Sequence, residues 1–170
     1  YQWSLLSPDT RTKLWDEASA DEKQILAAIE LKKKPEDQNS GFVKDWKSGK
    51  LKMPGQDTYS KSKLYSNSTF EQTRSALQFY YQYKTNKDTA TYQDKDMSDT
   101  YKSVNRLCDA GYSLYDACMI RTVLKDVEGT KDKNGKTVAL SRRNNRITAL
   151  IKMGYSQKEA EKMVLTYEGK

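Results

Sequence analysis

The sequence predicts an all-α fold: tandem helix-turn-helix hairpins behind an N-terminal helical part and an extended arm. Three observations carry that reading. Apolar residues recur at helical spacing, as in Tyr101, Val104, Leu107 and Cys108 and again in Ala117, Ile120, Val123 and Leu124. Helix-start signals stand ahead of several of these runs. The triplet Gly-Tyr-Ser occurs at 111–113 and 154–156, inside two stretches that align without a gap at an offset of 43 residues.

Residues 1–34 read as N-terminal helices. Ser7, Pro8 and Asp9 open the first, with Ser as N-cap and Pro at the first helical position; it carries Leu14 and Trp15. Ser19 and Glu22 form a capping box for the second, whose Ile25, Leu26 and Ile29 are expected on one buried side. Lys32, Lys33 and Lys34 suit the negative end of its dipole before Pro35 stops it.

Residues 35–67 hold two prolines, three glycines and many Lys, Ser, Asp and Asn, with few apolar residues. Such a segment is expected to be an extended basic arm that builds no core of its own. Phe42 and Trp46 are its candidate anchors, either in a pocket of a partner or back on their own domain. Residues 68–97 then read as an aromatic-rich helix, capped by Ser68 and Glu71, followed by a polar linker over 87–97. Phe70, Leu77 and Tyr81 share a face there, with Tyr80 and Tyr83 beside it; the stripe suits packing, or base stacking next to Lys84 and Lys87.

Residues 98–170 form the tandem hairpins. Val104 matches Ile147, Leu107 matches Leu150, Cys108 matches Ile151, and Ala117 matches Ala160. In each turn Gly111 or Gly154 suits the left-handed end of a helix, and Ser113 or Ser156 caps the next. Asp116 or Glu159 completes the box, while Tyr112 or Tyr155 buries its ring as a staple. Cys108 is expected inside and Cys118, which matches Glu161, partly outside.

Composition narrows the chemistry. The 170 residues contain no histidine and two cysteines, so Ser–His and Cys–His hydrolysis, histidine-ligated metal and four-thiolate sites are all excluded. The carboxylates, such as Asp16–Glu17 and Asp94–Asp96, are scattered, and we expect neither an enzyme nor a cofactor. No apolar run is long enough to cross a bilayer and no signal-peptide layout is present, so no membrane contact is expected. The net charge of +7 and pI near 9.2 favour anionic neighbours. Residue 1 is Tyr rather than Met, which fits a processed product or a piece of a longer chain.

Between the hairpins, 128–141 reads as a loop turned at Asn134–Gly135, with brief pairing across it and Ser141 capping the next helix. From 131 to 152 seven Lys or Arg face one acid, Asp132. Lys131, Lys133, Lys136, Arg142, Arg143 and Arg146 are therefore the candidate contacts for an anion or an acidic partner. Arg142 and Arg143, expected in the first turn of a helix, either pair with Asp126 or Glu128 or present a basic edge.

Asp132, Asn134, Gly135, Lys136, Thr137, Val138, Ser141, Arg142 and Arg146, set between two hairpins, resemble a module of large tailed-phage proteins. That module is known as a large polyvalent protein-associated domain. The resemblance covers residues of about 100–168 and departs at Ala139–Leu140, where the family usually has another small residue. It implies a virion-associated polypeptide, assembled in the host bacterial cytoplasm and open to proteolytic processing, with no established catalytic role for this module. The expectation is a non-enzymatic structural component, internal or head-associated, in a multi-subunit assembly with other virion proteins as partners and with DNA or an acidic partner at the basic loop and helix of 131–146. The second expectation is a basic helical nucleic-acid-binding module acting outside a particle. The second copy, from Leu150 to Val164, is also similar to the first hairpin of ubiquitin-associated domains, but lacks the third helix.

Overall fold

The computed structural model describes residues 3–51, 53, 56–86 and 95–170. All its regular elements there are helical, apart from one isolated bridge between Lys131 and Thr137. The chain divides into two units, Tyr1–Thr58 and Tyr59–Lys170, in place of the four segments that composition suggested.

The first unit has helices α1 (Pro8–Glu17), α2 (Ala20–Leu31) and α3 (Ser40–Lys47), with 3-10 turns at Trp3–Leu5 and Pro35–Asp37. Its caps form as the sequence predicts: Ser7 accepts from the Thr10 N–H, and Ser19 and Glu22 make a reciprocal capping box. The buried face of α2 is Leu26, Ala27, Glu30 and Leu31, whereas Ile25 is 68% exposed. The predicted face was thus rotated, because the buried side includes the carboxylate of Glu30.

Glu30 is the polar centre of this unit. Its Oε1 accepts from Arg11 Nη1 at 2.6 Å and from the Trp3 indole at 2.7 Å, and its Oε2 accepts from the Asn39 N–H at 2.9 Å. Arg11 Nη2 also donates to the Asp37 carbonyl at 3.1 Å. One carboxylate thereby ties the first turn, α1, α2 and the start of α3 together.

The extended arm is corrected by α3. Asn39 caps that helix by accepting from the Phe42 N–H at 3.1 Å. Phe42 is fully buried, edge-on to Trp15 at 5.7 Å and tilted against Trp46 at 5.6 Å. Phe42 and Trp46 lie four residues apart on one helical face, so both pack on their own unit. Polar composition concealed a short amphipathic helix because only a few apolar residues mark its inner face. Short helical turns at Gln56–Tyr59 and Lys63–Ser66 follow.

The second unit contains α4 (Phe70–Asn86), α5 (Lys95–Asp109), α6 (Leu114–Leu124), α7 (Ala139–Lys152) and α8 (Gln157–Glu168). The capping box of α4 is Thr69 with Gln72, not Ser68 with Glu71: Gln72 N donates to Thr69 Oγ1 at 3.1 Å and Thr69 N to Gln72 Oε1 at 2.9 Å. The start moves because the helix begins at Phe70. Of the linker expected over 87–97, residues 87–94, with Lys87 and Asp94, lie outside the described residues; the chain is helical again from Lys95.

Helix α6 is central, packed against α4, α5, α7, α8 and the turn at Lys63–Ser66. Ala117, Cys118, Met119, Ile120 and Leu124 are all fully buried on it. This reverses the expectation for the thiols: Cys118 is buried while Cys108 is half-buried. A helix covered on several sides needs apolar residues all round, whereas its repeat partner α8 leaves Glu161 exposed. Burial also pushes the Cys118 thiol up, with Cys108 adding to the shift and Arg121 opposing it. The aromatic stripe of α4 packs inward, with Tyr80 stacked on Tyr115 at 4.1 Å and Phe79 against Tyr101 at 5.6 Å.

Both Gly-Tyr-Ser turns close α5 and α7 in the same way. Tyr112 N donates to the Leu107 carbonyl and Gly111 N to that of Cys108; Tyr155 N and Gly154 N donate likewise to Leu150 and Ile151. This is the paired bonding of a Schellman end, with the glycines at φ of 104° and 100°. Ser156 and Glu159 complete a reciprocal box, but Asp116 does not: its carboxylate accepts from Ser62 Oγ at 2.5 Å. The neighbouring segment also grips the second turn, since Lys63 Nζ donates to the Gly154 carbonyl at 3.2 Å and Asn67 Nδ2 to that of Met153 at 2.8 Å. Gly154→Val is expected to destabilise by about 1 kcal/mol or more. Both the positive φ and an added Cβ 3.3 Å from Asn67 Nδ2 act against it. An unchanged midpoint in circular-dichroism melting would contradict this.

Candidate functional site

The six cations predicted around the inter-hairpin loop separate into two groups. Lys131, Lys133 and Lys136 ride on the exposed loop. Asp132 Oδ1 holds that loop by accepting from the N–H groups of Asn134 and Lys136, both at 2.9 Å. Lys131 Nζ donates to Thr137 Oγ1 at 2.8 Å. Ser141 clips the loop shut rather than capping a helix: it accepts from the Thr130 N–H at 2.8 Å and donates to the Val138 carbonyl at 2.7 Å. Helix α7 starts at Ala139 on an uncapped Val138, so Arg142 and Arg143 fall after its first three residues rather than at its very start. Gly129 lies under the clip, where a Cβ would stand 2.6 Å from Ser141 Oγ.

Arg142, Arg143 and Arg146 face elsewhere, into a cleft of about 520 Å³ within the second unit. There they meet Arg106 from α5, Arg121 and Lys125 from the end of α6, and Lys170. Seven cationic side chains and a single carboxylate, Glu168, line this space, together with Ser103, Ala139 and Tyr167.

The cations have different duties. Arg106 caps α8, donating through Nε to the Thr166 carbonyl at 3.1 Å and through Nη2 to that of Tyr167. Arg143 Nε and Arg146 Nη1 share Glu168, at 2.8 and 2.7 Å. Arg146 Nε also reaches the Leu124 carbonyl at 3.3 Å, and its guanidinium lies over the Tyr167 ring at 5.0 Å. Burial works against the charge on Glu168, but the two guanidiniums outweigh it and hold its carboxyl below the usual 4.5. One carboxylate between two arginines leaves that trio with a net positive charge.

Arg142 and Lys125 are only loosely neutralised, at 4.0 Å from Glu128 and 3.2 Å from Asp126, both exposed acids. The Arg121 side chain has no hydrogen bond or ion pair among the described residues; its guanidinium carbon stands over Phe79, 4.0 Å from the ring centroid. Burial draws its pKa below the usual arginine value. Arg121 and Lys125 also line a second, smaller recess of about 180 Å³, together with Ser75, Gln78, Phe79, Gln82 and Thr122.

Such a cleft concentrates positive potential between low-dielectric walls and attracts multivalent anions. Sequence reasoning missed Arg106, Arg121, Lys125 and Lys170 because it looked for a continuous basic stretch. A signal did exist: Arg121–Lys125 and Arg142–Arg146 are both like-charged i,i+4 pairs, which repel on an isolated helix.

Among the described residues no helix is long and apolar enough to cross a membrane. Comparison with family models, with curated proteins and with solved structures returned no match for the chain.

Proposed function

We propose that this chain is a non-enzymatic structural component of a bacteriophage particle, internal or head-associated, whose second unit holds the phosphate backbone of DNA in its cationic cleft. The phage setting comes from the resemblance of the loop between the hairpins. The observation that carries the binding role is the convergence of seven cations from several helices on one cavity with only Glu168 against them. An acidic protein side chain delivers one charge at a time, whereas a phosphodiester chain delivers closely spaced charges that match such a density. The exposed Lys131, Lys133 and Lys136 add longer-range attraction beside the cleft.

Duplex DNA titrated against the protein by fluorescence anisotropy is expected to bind tightly at low salt. Affinity should then fall steeply as salt rises from about 50 to about 200 mM. Lys125→Ala and Arg142→Ala are each expected to weaken binding and to lower the salt slope by roughly one. Failure to bind DNA at low salt would overturn the DNA reading. Location is a separate measurement: mass spectrometry of purified particles should find the chain at fixed copy number. Its absence there would leave a nucleic-acid-binding module working outside a particle.

A further inference from the structure

We infer that Arg121 is the centre of a discrete phosphate subsite, which seats one phosphate group of a phosphate ester whose neutral part extends along the recess towards Gln78 and Gln82. The inference rests on the anionic-ligand reading of the cleft but goes beyond it, because it assigns one residue, one chemical group and a direction.

Three observations converge. Arg121 is the arginine of the cleft whose side chain is left without a hydrogen-bonded or ionic partner among the described residues, while Arg106, Arg143 and Arg146 are committed to carbonyls or to Glu168 and Arg142 stands 4.0 Å from Glu128. Its guanidinium is nevertheless held in place by the Phe79 face at 4.0 Å, so a ligand would meet a fork already oriented. It also lines both spaces, the cationic cleft of about 520 Å³ and a recess of about 180 Å³ whose lining, apart from Arg121 and Lys125, is uncharged. The first volume suits a small organic ligand bearing a phosphate. The second adds the amides of Gln78 and Gln82 and the hydroxyls of Ser75 and Thr122, which both donate and accept and so match a sugar or base. Lys125 also lines both spaces and supplies a point charge beside the fork.

Phosphate is favoured over carboxylate by geometry and charge. A guanidinium fork donates two parallel bonds to either group. Only a phosphate also keeps further oxygens for Lys125 and Arg142, and a terminal one carries a second charge to offset the crowding of cations. The source of the phosphate is either a nucleic-acid strand or a free phosphate ester.

The test is NMR of the arginine Nε–Hε groups of the full chain, titrated with inorganic phosphate, with thymidine monophosphate and with a short oligothymidylate. All three are expected to shift the Arg121 signal in a saturable way. The nucleotide should also shift the side-chain amides of Gln78 or Gln82, which inorganic phosphate leaves alone. Arg121→Lys keeps the charge and loses the fork, and should weaken thymidine monophosphate about tenfold with the melting temperature unchanged. An Arg121 signal that moves with none of the three overturns the subsite. So does wild-type nucleotide affinity in Arg121→Lys. Oligothymidylate binding that persists unchanged in Arg121→Lys sinks the subsite and leaves the DNA reading standing. Binding of phosphate and nucleotide without the oligonucleotide supports the subsite with a free phosphate ester as its ligand, and counts against DNA.

Discussion

Glu30→Ala is expected to unfold the first unit or bring it close to unfolding. The carboxylate is fully buried and neutralises Arg11, whose side chain is 6% exposed. Removing it strands the guanidinium in the interior and leaves the Trp3 indole and the Asn39 N–H without their acceptor. Breaking one side of a buried pair typically costs about 3–5 kcal/mol, and a unit of this size has little stability to lose. All three tryptophans, at 3, 15 and 46, lie in this unit, so their fluorescence follows its unfolding. The midpoint should fall by at least about 12 °C. The pair Arg11→Met with Glu30→Leu removes both charges and should recover most of that loss, since an apolar pair of similar volume is often neutral or better. An unmoved tryptophan transition in Glu30→Ala would show that the carboxylate does not organise the unit.

Phe42→Ala is expected to cost about 3–5 kcal/mol. The ring is wholly buried between Trp15 and Trp46, and truncation opens a cavity at the contact of α1 with α3. The outcome separates two pictures of this segment. An arm that anchors on another molecule would lose affinity for that molecule and keep its melting temperature. A residue of the unit's own core lowers the tryptophan-fluorescence midpoint and changes the emission of its two indole neighbours. A full wild-type midpoint would restore the arm.

The contrast between α3 and the Gly-Tyr-Ser turns shows what kind of information a sequence carries. The turns were legible because the bonds that close them are local: a glycine that takes positive φ, a serine that caps three residues on, and carbonyls three and five residues back. The loop between the hairpins was legible for the same reason, down to its bridge at Lys131 and Thr137. Helix α3 was not, because a cap at Asn39 and two aromatic residues are a faint signal within a polar stretch. The burial of Cys118 was hidden too. Its repeat partner sits on a helix with an open side, and only the packing around α6 shows that this helix has none.

By itself the sequence determined the all-α class, the starts of α1, α2, α6 and α8, the duplicated hairpin and the absence of histidine chemistry. Each depends on residue type or on contacts within one or two helical turns, where chain connectivity supplies the geometry. Tertiary structure decided which face of each helix is inside, that Glu30 serves as a buried hub, and which cations act together. Arg106, Arg121, Lys125, Arg142, Arg143, Arg146 and Lys170 are spread over 65 positions of the chain, yet they line one cleft. Electrostatic interaction depends on distance through space, and folding, not sequence order, sets those distances.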